Sequence, residues 1–235
     1  MYRGYKIKEP FFFFFFKCYM YGDTLLEIAK GLDRLSEKYD VDIILDVPDT
    51  EIKNIADHTK NIHVYSQHMD SLPVGRGMGR TLPEALKAAG AVGVMLNHAE
   101  HKLTLPEIAE AIKRADEVGL ATMVCADSVE EVEAVARLSP NILVAEPTEL
   151  IGTGRPAGRE YVDSVIRCIR EINPEIKPFP SAGISKGEDC YNIVKAGSPA
   201  SGCSSAIAKA ENPLRLAEEM IASVRRAWDE IHQGA

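Results

Sequence analysis

Runs of apolar residues alternate along the chain with amphipathic segments whose apolar positions repeat at the helical period. The apolar runs predict eight strands, which in chain order are Phe11–Phe16, Val41–Val47, Ile62–Gln67, Ala91–Leu96, Leu120–Ala126, Asn141–Ala145, Ile176–Ser181 and Ala200–Ser204. A predicted helix follows each strand. Three of these helices open with a Thr-x-x-Glu capping box, at Thr24, Thr81 and Thr104. The others are predicted at Asp49–Asp57, Ser128–Leu138, Tyr161–Ile172, Asp189–Ala196 and Asn212–Ile231.

Regular alternation of strand and helix places the chain in the α/β class, with a parallel sheet covered by helices. Eight units without a linker or a change of composition favour one closed (β/α)8 barrel domain spanning residues 1–235. An open nucleotide-binding sheet would need a glycine-rich turn after the first strand, where Lys17-Cys18-Tyr19 stands instead. The seventh and eighth strands are the weakest of the set, and Pro178 and Pro180 interrupt the seventh.

The composition of the chain argues against several classes of binding partner. The net charge of -8 and the absence of a basic stripe argue against nucleic-acid binding. The run Phe11–Phe16 is too short to span a bilayer, so no membrane association is expected. The five cysteines are odd in number and form no CxxC pair, which favours a reducing cytoplasm over a disulfide framework or a zinc site.

In such a barrel the chemistry belongs at the carboxyl ends of the strands, and three titratable side chains stand there: Lys17, His98 and Glu146. Pro147 follows the glutamate and a loop hinged at Gly152 and Gly154 comes next, so the pattern suggests a base beneath a mobile lid. On its own the same stretch is equally typical of an ordinary connection with a solvated glutamate.

Small residues precede the helices of the seventh and eighth units, at Gly183 and at Ser204-Ser205. Tight turns of this kind expose backbone N–H groups, and in barrels this pair of loops often holds a phosphate. Taken singly, these residues are equally compatible with plain turns. Together with the three titratable residues they favour a small phosphorylated substrate.

Two motifs make the sequence recognisable: Leu96-Asn97-His98-Ala99-Glu100 and the stretch from Ala145 to Gly154, AEPTELIGTG. Both resemble the triosephosphate isomerase family, and the SAGISKGED stretch at 181–189 is similar to its compact archaeal branch. The resemblance implies a TIM barrel that isomerises triose phosphates in glycolysis and gluconeogenesis without a cofactor or a metal.

The resemblance also implies roles for individual residues. Glu146 matches the family's base, His98 its electrophile, and Lys17 the residue that offsets the developing negative charge. The positions that match the family's phosphate-holding residues are Ile151, Gly152, Gly183, Ser204 and Ser205. The family also assembles into dimers or tetramers, so a homo-oligomer is expected here.

Three positions depart from the family pattern. Phe15 replaces an asparagine before the lysine, Met78 replaces a threonine that reaches into the neighbouring subunit, and Ala99 replaces a serine after the histidine. These changes keep two alternatives open: the same chemistry on another small sugar phosphate, or a non-catalytic phosphate-binding barrel. His98 and His101 have an i, i+3 spacing, but no third ligand is suitably spaced and no metal is expected.

Overall fold

The computed structural model describes residues 1–181 and 183–232. The strands are β1 Phe11–Phe15, β2 Asp42–Val47, β3 Ile62–Ser66, β4 Gly93–Leu96, β5 Ala121–Ala126, β6 Ile142–Ala145, β7 Lys177–Pro180 and β8 Ala200–Cys203. The helices are α1 Gly22–Tyr39, α2 Ile52–His58, α3 Pro83–Ala89, α4 Leu105–Val118, α5 Val129–Ala136, α6 Arg159–Ile172, α7 Gly187–Lys195, α8 Ser205–Ala208 and α9 Pro213–His232. Short 3-10 turns lie at Asp49–Glu51 and Thr148–Leu150.

The strands form one parallel sheet in the order β7-β6-β5-β4-β3-β2-β1-β8, with helices outside it. This is the predicted (β/α)8 barrel, and the alternation of the sequence is its cause, since each parallel strand needs a crossover helix. Among the described residues β7 and β8 share no ladder, so the barrel has a seam there. Lys177 and Ser181 donate their N–H groups towards β6, so the prolines at 178 and 180 occupy the positions that would donate towards β8.

The phenylalanine run fills both sides of the sheet. Phe11, Phe13 and Phe15 point into the barrel, whereas the alternate residues Phe12, Phe14 and Phe16 pack beneath the helices. Side chains on a strand alternate between its faces, and both faces are buried here, so a strand without polar residues is stable. The predicted first strand is therefore real.

The weak eighth strand complements this run. Phe13 lies beside Gly202 in register, and a Cβ on Gly202 would stand 2.5 Å from the Phe179 ring and 2.6 Å from the Phe13 carbonyl oxygen. The small residues of β8 leave the space that the rings of β1 and β7 occupy. Large side chains on β1 are thus matched by small ones on the neighbouring β8, which keeps the barrel core densely packed.

All eight predicted strands are confirmed, with ends that differ by one or two residues. Two predicted helix starts were wrong: α1 begins at Gly22 rather than at a Thr24 cap, and α3 begins at Pro83. Thr81 does not cap α3, because its hydroxyl donates to Asp49 and its N–H to Asp70. The Thr104 capping box is present.

The short helix α8 was not predicted, because four residues are too few to display a period. The predicted domain extends to Ala235, and residues 233–235 lie outside the described residues, as does Ala182 in the seventh loop. Within the described ranges, no helix is both long enough and apolar enough to cross a membrane.

Candidate active site

Glu146 lies at the carboxyl end of β6, where its N–H donates to the Ala126 carbonyl at 2.8 Å. Its side chain is 10% exposed. The Ser181 hydroxyl, at the end of β7, lies 3.5 Å from one of its carboxylate oxygens. Burial raises the pKa of Glu146 to about 7, against the opposing effects of Lys17 and Ser181. The result is a carboxyl group that exchanges a proton near neutral pH.

His98 follows β4 and faces the glutamate. The N–H of Glu100 donates to its Nδ1 at 3.1 Å, so a neutral ring carries its hydrogen on Nε2, which lies 3.8 Å from Glu146 Oε2. Burial, with the positive charge of Lys17, lowers the pKa of His98 to about 4. The imidazole is therefore neutral over the physiological range and presents an N–H donor to the cavity.

Lys17 follows β1 in a left-handed conformation, with φ of 49°. The Gln67 amide donates to its carbonyl at 2.8 Å, which holds this turn in place. Its ammonium pairs with Glu100 at 2.6 Å, and its side chain is 16% exposed. One lysine thus adds a positive charge to a space bordered by the carboxylates of Glu100 and Glu146.

A cavity of about 330 Å³ at the carboxyl end of the barrel brings the predicted residues together. Every site residue named from the sequence lines it: Lys17, His98, Glu146, Ile151, Gly152, Gly183, Ser204 and Ser205. Phe15 and Lys209 line it too, so the cavity wall has an apolar residue and a second lysine besides Lys17.

Backbone from three loops also lines the cavity, at Gly152 and Gly154, at Gly183 and at Ser205. Gly152 and Gly154 have φ of 73° and 68°, which glycine adopts without strain, and nothing stands within 4 Å of a Cβ at either position. A Cβ on Gly183 would lie 1.9 Å from the Arg155 carbonyl oxygen, so only glycine permits this approach of loop to loop. The first turn of α8 adds N–H groups without helical acceptors at Ser205.

A hydrogen-bonded chain links the histidine loop to the start of the lid. Asn97, with φ of 58°, donates to the Glu131 carboxylate at 2.9 Å, and Glu131 accepts from the Asp127 N–H at 2.7 Å. The Asp127 carboxylate in turn accepts from the Thr148 N–H at 2.9 Å and from its hydroxyl at 2.7 Å. The start of the loop after Glu146 is thereby fixed relative to His98 at Thr148, while residues 152–156 are exposed.

Sequence reasoning missed the roles of Glu100, Ser181 and Lys209. Each contacts or borders a predicted site residue only because the closed barrel brings separate loops together. Ser181 had a usable signal, since it ends the seventh predicted strand. Lys209 had none, because it lies beyond a helix that the pattern does not reveal.

The three departures from the family pattern take different places. Phe15 is almost fully buried and borders the cavity, Met78 is fully exposed at the tip of its loop, and Ala99 is partly buried beside His98. His101, the second histidine of the i, i+3 pair, stacks on His68 with ring centroids 4.0 Å apart. In the described part of the chain no group of three His, Cys, Asp or Glu side chains is placed to hold a metal ion.

Fold and cavity together define a class: parallel (β/α)8 barrels with a carboxylate and an imidazole facing each other at the carboxyl ends of the strands. A family model described as triosephosphate isomerase matches residues 10–178. The chain belongs to the triosephosphate isomerase family, an enzyme family whose members interconvert an aldose and a ketose.

Archaeal relatives cover almost the whole chain. The triosephosphate isomerase of Sulfurisphaera tokodaii is 39% identical over 227 residues, which are 95% of this chain and 99% of the relative. That of Methanobacterium bryantii is 37% identical over 93% of this chain and 99% of its own length. That of Methanosarcina barkeri is 36% identical over 90% and 97%. The predicted resemblance to the compact archaeal branch is confirmed.

Proposed function

We propose that this protein interconverts glyceraldehyde 3-phosphate and dihydroxyacetone phosphate by moving a proton between adjacent carbons. The observation that carries this proposal is the Glu146–His98 pair, 3.8 Å apart in one cavity that Lys17 also lines. Proton abstraction beside a carbonyl needs a base and an oxyanion partner in one dry site, and this pair supplies both. Membership of the family supports the same conclusion.

Glu146 acts as the base. Its carboxylate removes a proton from the carbon next to the substrate carbonyl, the electron pair forms an enediolate, and the same carboxyl group returns the proton to the neighbouring carbon. A pKa of about 7 suits a group that must take and release a proton in one cycle near neutral pH. No oxidant or other reactant is needed, because the substrate is oxidised at one carbon and reduced at the next.

His98 and Lys17 stabilise the enediolate. The Nε2–H of neutral His98 donates a hydrogen bond to the carbonyl oxygen as negative charge develops there, which is the arrangement established for this family. The Lys17 ammonium offsets the same charge. Ile151, Gly152, Gly183, Ser204 and Ser205 bind the phosphate through backbone N–H groups, and closure of the lid excludes water.

A coupled assay tests this function. Glyceraldehyde 3-phosphate is supplied, and a dehydrogenase that consumes NADH reports the dihydroxyacetone phosphate formed. We expect turnover by the wild type and a loss of about 10²–10⁴-fold in kcat for Glu146→Gln, since the amide cannot accept the proton.

Glu149→Gln is the matched control, because it removes an exposed carboxylate three residues further along the same loop and keeps the base. Exchange of the substrate C–H proton with heavy water gives an independent readout. Wild-type turnover no greater than that of Glu146→Gln, with no exchange, would refute the proposal.

We further infer that the protein forms a homo-oligomer. Four exposed large apolar side chains support this inference, and they lie in two loops at the carboxyl end of the barrel: Tyr19, Tyr21, Val74 and Met78. An exposed methionine at a loop tip favours an apolar contact with a second copy, in place of the family's polar threonine.

Light scattering tests the oligomer. We expect the wild type at the mass of a dimer or tetramer, and a smaller species for Met78→Asp, because a charge at the contact would have to be desolvated. Ile231→Asp changes another exposed apolar residue, on the last helix, and is the control. A monomeric wild type would exclude the assembly.

Single-domain organisation and a cytoplasmic location complete the proposal. One continuous barrel over the described residues supports a single domain for residues 1–235. The five cysteines are all free thiols, which is consistent with a reducing compartment.

A further inference from the structure

Two acidic side chains of β2, Asp42 and Asp46, lie in its inward-facing row, and Asp46 is the more deeply buried of the two. It ends the inward-facing row of β2 after Ile44, lies beside Phe15 in register, and is 3% exposed. Asp42 pairs with His63 at 3.2 Å, whereas the inward neighbours of Asp46, Phe15 and Ile44, are apolar. A carboxyl group placed there loses most of its hydration, so its position demands an explanation.

A second cavity, of about 470 Å³, adjoins the active-site cavity on this side. Phe15, Lys17 and His98 border both cavities, whereas Asp46 borders only the second. Asp46 therefore does not reach a substrate beside Glu146. Any effect on the reaction has to pass through a residue that both cavities share.

Lys17 is that residue. Asp46 takes part in no ion pair within residues 1–181 and 183–232, since the Lys17 ammonium is already paired with Glu100 at 2.6 Å. The Gln67 amide joins the two groups: it holds the Lys17 carbonyl at 2.8 Å and lies next to the Asp46 carboxyl group. The charged or titratable groups that surround Asp46 at this end of the barrel are Lys17 and Cys18 after β1, Asp49 after β2, His68 after β3, His98, Glu100 and His101 after β4, and the buried thiol of Cys125 on β5.

We propose that Asp46 is a positioning residue that limits the affinity of the site for its anionic substrate by competing for the charge of Lys17. When Asp46 is ionised, it adds a second carboxylate to Glu100 beside one ammonium, so the lysine attracts an incoming anion less strongly. When Asp46 is protonated, this competition ends. The inference rests on the proposed role of Lys17 in binding the anionic substrate.

The titration of Asp46 makes this competition measurable. Burial raises the pKa of its carboxyl group to about 7, against the opposing effects of Gln67 and Lys17. Near pH 5.5 the group is mostly protonated, and near pH 8.5 it is ionised. An Asp46→Asn variant keeps the shape of the side chain and remains uncharged at both pH values.

Calorimetric titration with glycerol 3-phosphate, which has no carbonyl to isomerise, tests the proposal. The Kd is measured at pH 5.5 and pH 8.5 for the wild type, Asp46→Asn, Lys17→Met and the double variant. Ligand and Glu146 ionise alike in the wild type and Asp46→Asn, so the ratio of their Kd values at one pH isolates Asp46. We expect a ratio near 1 at pH 5.5 and wild-type binding about threefold or more weaker at pH 8.5.

In the Lys17→Met background we expect a ratio near 1 at both pH values, because the residue that transmits the effect is missing. A ratio that is the same at both pH values, or one that Lys17→Met leaves unchanged, overturns the proposal. Asp46→Ala also removes the charge and replaces Asp46→Asn if that variant does not fold. The isomerase assay is separate: if the wild type binds the ligand but does not isomerise triose phosphate, only the proposed function fails.

Discussion

At the scale of single residues, the proposed role of Glu146 as the base predicts the pH dependence of the reaction. A base must be ionised to accept a proton, so we expect kcat/KM to fall as the pH drops through about 7, the pKa of Glu146. Protonation of His98 lowers kcat/KM further only below about pH 4, since its ring stays neutral above that value. A pH profile of kcat/KM in the coupled assay measures this limb, and it is recorded in Asp46→Asn, which lacks the second carboxyl group with a pKa of about 7.

Ser181 affects the pH at which this acid limb falls. Its hydroxyl favours the ionised form of Glu146, so Ser181→Ala should raise the pKa of the base and move the acid limb to higher pH. Ser164→Ala, which removes a hydroxyl from the α6 surface, is the control and should leave the limb in place. An unmoved limb in Ser181→Ala would mean that the 3.5 Å contact has no electrostatic effect.

Asp46 also affects the pH dependence of stability. Its pKa in the fold is about 7, against 3.8 for an aspartate in the unfolded chain, so between these values the folded chain keeps a proton that the unfolded chain has released. The free energy of unfolding should therefore decrease as the pH rises from about 4 to about 7, by up to about 4 kcal/mol at 1.36 kcal/mol per pKa unit.

Urea unfolding at pH 4 and pH 8 measures this dependence. Asp46→Asn lacks the titrating group, so it should gain stability over the wild type at pH 8 and lose most of that advantage at pH 4. Glu146 titrates in both proteins and cancels from the comparison. An equal difference at both pH values would show that the carboxyl group is not destabilised by burial.

At the scale of elements, β1 and β8 have to be considered as a pair. Gly202→Ala would place a methyl group 2.6 Å from the Phe13 carbonyl oxygen, which belongs to the backbone and moves little. We expect a loss of about 1–3 kcal/mol in the free energy of unfolding, the usual cost of overpacking a core. Gly158→Ala is the control, because nothing lies within 4 Å of a Cβ there. Equal stability of the two variants would contradict the tight packing of β8 against β1.

This pair also shows what the sequence can and cannot predict. The position of each strand was predictable because a strand buried on both faces is apolar throughout, and Lys17, His98 and Glu146 were predictable because they stand directly after such strands. The packing of Gly202 against the aromatic rings was not predictable, since it depends on two distant segments becoming neighbours when the barrel forms. The same is true of the contact between Ser181 and Glu146.

At the scale of the whole molecule, a chain with a net charge of -8 is proposed to bind an anion. The overall field is repulsive, but a field at a cavity depends mostly on the groups within a Debye length of it. Lys17 and Lys209 line the cavity, as do glycines 152 and 154 of the loop after Glu146 and the first residues of α8, whose backbone N–H groups are proposed to bind the phosphate. Local arrangement therefore decides the ligand, and the sequence total only excludes polyanionic partners.

A bound ligand is also expected to stabilise the seam between β7 and β8. The loops after these two strands, which carry Gly183 and Ser205, both border the cavity, yet their strands share no ladder in the described chain. A phosphate held by both loops would cross-link the two edges and close the barrel where backbone pairing does not. Ligand binding should then suppress local opening at the seam more than elsewhere.

Amide hydrogen exchange reads out this opening directly. With glycerol 3-phosphate bound, we expect exchange to slow most at the amides of β8 and less at those of β3 and β4, which pair on both sides. Uniform slowing across all strands would mean that the seam opens only with the whole barrel. The substrate, while it is bound, would thus also stabilise the barrel by linking the two strands that are not hydrogen-bonded to each other.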